Sequence, residues 1–80
     1  IGGGVTTEGV MDACWAALKP GGRLVANVVT IEGERLLFQW HDKVGGTFTR
    51  IAIQRAEPVG RFLGWRSLAP ITQWTVVKSL

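Results

Sequence analysis

The sequence predicts an α/β fold built on a mixed sheet, and three observations carry that prediction. The stop signal Lys19-Pro20-Gly21-Gly22 leads straight into the apolar run Leu24-Val25-Ala26-Asn27-Val28-Val29. Apolar residues recur at helical spacing on both sides of that run, and from Thr47 onward the pattern turns extended. Pro20 cannot continue a helix, Gly21 and Gly22 can take the positive φ of a turn, and Lys19 places a cation near the negative end of a helix dipole. Beyond the turn, apolar residues follow one another almost without alternation, as expected of a strand covered on both faces. Ligands in open α/β sheets bind at the carboxyl ends of such strands, so Asn27 to Thr30 is the first stretch to consider for chemistry.

Taken in order, Ile1 followed by Gly2, Gly3 and Gly4 reads as the last residue of a strand and its exit turn. A domain rarely opens there, so further sequence is expected upstream. Thr6 or Thr7 can cap a helix over residues 7–18, with Glu8 in its first turn and Val10, Cys14, Ala17 and Leu18 on one face beside Met11 and Trp15. A strand over 23–29 follows. Thr30 then caps a second helix that carries Glu32 and Glu34 near its positive end, an apolar stripe of Leu36, Leu37, Trp40 and Val44, and a stop at Gly45-Gly46. The β-formers from Thr47 predict one strand over 47–57, ended by Pro58. Residues 59–70, with Gly60, Gly64 and Pro70, read as a long connection rather than a tight hairpin turn, and the last strand covers 71–78. A crossover helix makes the 23–29 strand parallel to the Ile1 stub, whereas strands joined without a helix pair antiparallel.

Composition bounds the function. At 80 residues with 46% apolar and 19% charged side chains, the chain reads as globular and can hold one small domain or a piece of a larger one, and the opening at Ile1 makes a single partial domain the expectation. A net charge of +3 permits an anionic partner, yet no Lys or Arg has another beside it, which argues against nucleic acid. The lone Cys14 allows no internal disulfide, fitting a reducing, cytoplasmic setting. No apolar run approaches the roughly 20 residues that cross a bilayer, so no membrane partner is expected. His41 has no His or Cys at ligand spacing, so no metal is expected.

The turn Leu18-Lys19-Pro20-Gly21-Gly22-Arg23-Leu24 and the element order resemble the carboxyl-terminal half of a class I, Rossmann-like S-adenosylmethionine-dependent methyltransferase. More specifically, Ile1-Gly2-Gly3-Gly4, the run from Leu24 to Glu32, Arg55-Ala56-Glu57-Pro58-Val59-Gly60 and Gln73-Trp74 resemble the decarboxylating precorrin methyltransferases of cobalamin biosynthesis, over essentially the whole chain. That resemblance implies an antiparallel last strand placed centrally, between the 23–29 and 47–57 segments. It implies methyl transfer from S-adenosyl-L-methionine to a tetrapyrrole, the precorrin macrocycle, coupled to loss of carbon dioxide from an acetate group. The glycine-rich cofactor loop and the ribose-binding acid of that fold are not among these residues. The chain alone is therefore expected to be inactive.

Under the resemblance, Gly2, Gly3 and Gly4 lie beside the cofactor, where absent side chains let a flat ligand approach the backbone. Asn27, a polar residue late in a buried strand, needs partners that are substrate, cofactor or neighbouring backbone. Thr30 is a cap first and a substrate contact second. Arg61, Trp65 and Arg66 suit a polycarboxylated ring through forked guanidinium contacts and aromatic cover. They suit a subunit interface equally, which with an exposed strand edge points to a homo-oligomer. No pair of residues reads as a catalytic nucleophile and base. The competing reading is a small basic binding module, for nucleic acid or a protein partner, using Arg50, Arg55, Arg61, Trp65 and Arg66.

Overall fold

The computed structural model describes Ile1 and residues 4–80, in the order α1 (Val10–Ala17), β1 (Arg23–Val28), α2 (Ile31–Val44), β2 (Thr47–Ile51), β3 (Gln54–Val59), β4 (Phe62–Ser67) and β5 (Ile71–Val77). Helix α1 starts at Val10 instead of Thr7. Residues 4–9 form turns closed by Thr7 N–H on the Gly4 carbonyl (3.0 Å) and Val10 N–H on the Thr7 carbonyl (3.1 Å), and Gly9, at φ 80°, is the N-cap. A left-handed residue cannot propagate a helix, so neither Thr6 nor Thr7 caps it, and Asp12 replaces Glu8 as the first-turn acid. At the other end Lys19 is exposed, and the cation at the open carbonyls is Lys78, reaching back from beyond β5. Its Nζ donates to the carbonyls of Trp15 (2.9 Å) and Leu18 (3.0 Å).

The turn after α1 closes as the sequence predicts. Gly22 N–H donates to the Lys19 carbonyl at 2.8 Å and Gly21 has φ 83°, the proline-glycine arrangement of a type II turn. Thr30 caps α2 through Oγ1, which accepts from Gly33 N–H at 3.0 Å, and Gly45 ends that helix at φ 76°.

Strand β5 lies between β1 and β2, antiparallel to both, as the resemblance implies. The Ile1 nitrogen donates to the Val25 carbonyl, and Asn27 N–H donates to the Ile1 carbonyl at 2.9 Å. Bonds to residues on either side of Ala26 are the parallel pattern expected of the stub. Both helices cover one face of this sheet. Leu24, Ala26, Val28, Trp74 and Val76 meet Met11 from α1 and Leu37 and Trp40 from α2 in a single core. Burying a side chain such as Leu37 contributes about 1.5–3 kcal/mol. Trp74, fully buried between Ala26 and Phe48, donates its indole N–H to the Gly45 carbonyl at 2.9 Å. The opposite face, with Val25, Asn27, Gln73 and Thr75, is half-buried, so β1 is covered on one side among the described residues rather than on both.

Two expectations for the second half are corrected. The 47–57 segment is not one strand: β2 ends at Ile51, opposite Ile71, and the chain then leaves the sheet. Pro70, next to Ile71, has no N–H with which to extend the ladder. Nor is 59–70 a long connection. β3 and β4 form an antiparallel hairpin, Val59 opposite Phe62, around the tight turn Gly60-Arg61. Gly60 at φ 62° followed by a residue of negative φ is the type II′ arrangement that favours two-residue hairpins. Pro58 is tolerated inside β3 because a two-stranded ribbon leaves each strand an outward edge. The hairpin projects: the radius of gyration is 16.1 Å, against about 12 Å for a compact chain of this length, and the long axis spans 56 Å.

Candidate functional site

At the carboxyl end of β1 the chain opens into a cleft of about 300 Å³. Gly4, Val5 and Thr6 form one wall, from the turn that precedes α1. Asn27, Val28, Val29 and Thr30 form the floor as β1 passes into α2, and Ile71 closes the side from the start of β5. Gly4 sits at φ 70°, a conformation that L side chains seldom adopt, so the wall there is bare backbone. The Thr30 hydroxyl is already engaged at the helix cap. Asn27 accepts at Oδ1 from Gln73 Nε2 at 3.1 Å. A largely apolar trough with the Asn27 side-chain amide in its floor suits a flat ligand that carries polar groups at its rim.

A second cleft of about 280 Å³ shares Val28 and Val29 with the first and is completed by Ile31, Glu34, Arg50, Pro70 and Thr72. Here α2, β2 and β5 converge on one carboxylate. Glu34 Oε2 accepts from Arg50 Nη2 at 2.5 Å and from the Thr72 hydroxyl at 2.6 Å, while Arg50 Nε donates to Thr72 Oγ1 at 3.3 Å. The Thr72 hydroxyl, followed by the Arg50 guanidinium, holds the Glu34 carboxyl below the usual carboxylate range.

The sequence-predicted residues thus separate into two places. Gly4, Asn27 and Thr30 meet in the first cleft. Gly2 and Gly3 lie outside the described residues. Arg61, Trp65 and Arg66 lie on the hairpin, lining neither cleft: Arg61 in its turn, Trp65 largely exposed on one face, and Arg66 on the other, 3.5 Å from Glu57. The residues named for a basic binding surface do not share a face. Arg50 is tied to Glu34 beside the sheet, and Arg55 and Arg66 oppose each other on the side of the hairpin away from Trp65. Among the described residues, no three His, Cys, Asp or Glu side chains gather where they could hold a metal, and no helix is long and apolar enough to cross a membrane.

Sequence reasoning missed Gln73, Glu34, Arg50 and Thr72 as neighbours of the cleft. A polar residue at alternate positions of β5 was a signal for Gln73, since the residue facing Asn27 follows once the antiparallel register is known.

Comparison with known proteins places this geometry. Residues 1–78 match the model of the precorrin methyltransferase domain. A precorrin-6Y C(5,15)-methyltransferase [decarboxylating] from Sinorhizobium sp is 50% identical over 78 residues, covering 98% of this chain and 19% of that protein. The protein of that name from Mycobacterium tuberculosis H37Rv is 46% identical, again over 98% of this chain and 20% of its own length. The chain therefore spans about a fifth of the curated relatives it matches. Among solved structures, the precorrin-6Y C5,15-methyltransferase targeted domain from Corynebacterium diphtheriae superposes with a TM-score of 0.92 at 47% identity, over 99% of this chain and 46% of that one. The C-terminal domain of precorrin-6Y C5,15-methyltransferase from Rhodobacter capsulatus superposes with a TM-score of 0.80 at 45% identity, over 95% and 41%. These likenesses give the basic-module reading no support. By sequence across residues 1–78 and by the central antiparallel strand that its fold shares with these domains, the chain belongs to the precorrin methyltransferase domain family.

Proposed function

We propose that this chain supplies the substrate side of the active site in an enzyme that methylates a precorrin ring and removes carbon dioxide from one of its acetate groups. The observation that carries the proposal is the cleft at the carboxyl end of β1, lined by Gly4, Asn27 and Thr30, in a chain of this family. S-adenosyl-L-methionine would supply an electrophilic methyl group when bound. The glycine run Gly2, Gly3 and Gly4 is the part of this chain proposed to lie against it, and the bare backbone at Gly4 fits a close approach. Val28, Val29 and Ile71 offer apolar contact to the macrocycle, and Asn27 a hydrogen bond to one of its oxygens. Methyl transfer to an electron-rich carbon depends chiefly on alignment of the two reactants, so a cleft that fixes the ring plane is the contribution required.

Arg61, Trp65 and Arg66 are proposed to serve assembly with a second copy before they serve substrate. Val59, Phe62, Leu63 and Trp65 are 62–76% exposed on a ribbon whose outer edges pair with no other strand among the described residues. Val59 and Phe62 lie on one face of the ribbon and Leu63 and Trp65 on the other, so an identical ribbon stacked on the Leu63 and Trp65 face would cover that pair. We further propose a soluble, cytoplasmic setting, in keeping with tetrapyrrole biosynthesis.

The function is tested by incubating the full-length protein with precorrin-6Y and S-adenosyl-L-methionine and weighing the product by mass spectrometry. The proposal expects gain of methyl groups with loss of carbon dioxide. An unmodified macrocycle under conditions where a Sinorhizobium relative turns it over would overturn it.

A further inference from the structure

Asn27 and Gln73 stand opposite each other in the β1–β5 register, on the sheet face away from the helices, and both are half-buried. An asparagine amide has one end that accepts and one that donates, and its neighbours decide which end a ligand meets. Gln73 Nε2 donates to Asn27 Oδ1 at 3.1 Å, so the accepting end is occupied from the side of β5. The backbone is fixed as well, because Asn27 N–H is held by the Ile1 carbonyl at 2.9 Å. Asn27 lines the cleft, and Nδ2 is the end of its amide that Gln73 leaves unoccupied.

We infer that Gln73 is a positioning residue: it holds the Asn27 amide with its NH2 group toward the ligand, so the site selects a substrate oxygen that accepts, a ring carboxylate or carbonyl. The inference rests on the reading of the cleft as a substrate site. Gln73 itself does not line the cleft and acts only through Asn27.

The test uses the full-length protein with four sequences: the natural one, Asn27→Ala, Gln73→Met and Gln73→Glu. Glutamate at 73 can accept but not donate when ionised, so it draws Asn27 Nδ2 away from the ligand; methionine keeps the bulk and removes the bond. Since a neutral hydrogen bond is worth up to about a tenfold change in affinity, Gln73→Glu should raise KM for the tetrapyrrole about tenfold with kcat little changed. Gln73→Met should raise it less. In the unliganded protein the Asn27 side-chain amide resonance should shift in Gln73→Glu, a readout independent of turnover. If Asn27→Ala raises KM while both Gln73 variants leave it and the resonance unmoved, positioning by Gln73 is overturned and the cleft assignment stands. If Asn27→Ala itself leaves KM unchanged, the cleft assignment falls and this inference with it. Equal losses of kcat and stability in Gln73→Met and Gln73→Glu, or a rise confined to KM for the methyl donor, would likewise overturn it.

Discussion

Gly33 lies in the first turn of α2 against β1, where an added Cβ would come within 2.8 Å of Val28 Cβ and Cγ1. Alanine is favoured over glycine inside a helix by about 1 kcal/mol, but overpacking against an anchored branched side chain costs about 1–3 kcal/mol. Sterics should win, so Gly33→Ala is expected to lower the urea midpoint at unchanged slope. Glu34 makes a second prediction. A carboxyl whose folded pKa lies below its unfolded value contributes stability that is fully present above the unfolded value, near 4.5, and is lost as pH falls through the folded one. Thermal melts over an acid series should therefore show a steeper loss below pH 4.5 for the natural chain than for Glu34→Gln. At this scale the sequence was legible where the partner is near. Thr30 caps through a bond to Gly33, and Asn27 announced itself as a polar break in an apolar run. The sequence marks Glu34 only as a first-turn acid because its partners, Arg50 and Thr72, lie 16 and 38 positions away and meet it only after the sheet has formed.

The β3–β4 hairpin is the element that sequence reasoning misread, and the reason is physical. Glycines in a run of β-formers suggest a loop, yet Gly60-Arg61 between Val59 and Phe62 also carries the signature of a two-residue type II′ turn. The break between β2 and β3 is invisible in the sequence because no glycine or proline interrupts residues 47–57, and the ladder ends only where β5 begins, at Ile71. Because φ at Gly60 is 62°, Gly60→Ala should destabilise the hairpin by about 1 kcal/mol, measured as faster amide exchange across the Val59–Phe62 pair. If the hairpin associates with a second copy, Trp65→Ser with Phe62→Ser should shift the sedimentation coefficient of the full-length protein toward the monomer while leaving its circular dichroism unchanged. An unshifted coefficient would leave the hairpin without that role. Helix α1 shows the opposite error: two threonines offered caps, but the left-handed Gly9 behind them decided where the helix could begin.

On the scale of the molecule, the helix–turn–strand–helix order and the central place of β5 were legible, the first from periodicity and stop signals, the second through the family resemblance. No local rule predicts that the last strand inserts between two earlier ones. It follows from its pattern, with Thr72, Trp74 and Val76 buried at alternate positions and both edges paired. Expressed alone, the 80-residue chain is expected to bind S-adenosyl-L-methionine weakly or not at all by calorimetry, because under the proposed function these residues supply only one wall of the cofactor site. Micromolar affinity would show that the cofactor contacts lie within these residues. The central claim, that the carboxyl end of β1 is where substrate sits, is tested most directly by a crystal structure of the full-length protein with S-adenosylhomocysteine and a precorrin bound. The account predicts a ring oxygen within hydrogen-bond distance of Asn27 Nδ2 and the ring edge against Val28 and Val29. Macrocycle density seated elsewhere, with the cleft between Gly4 and Ile71 filled only by solvent, would contradict it.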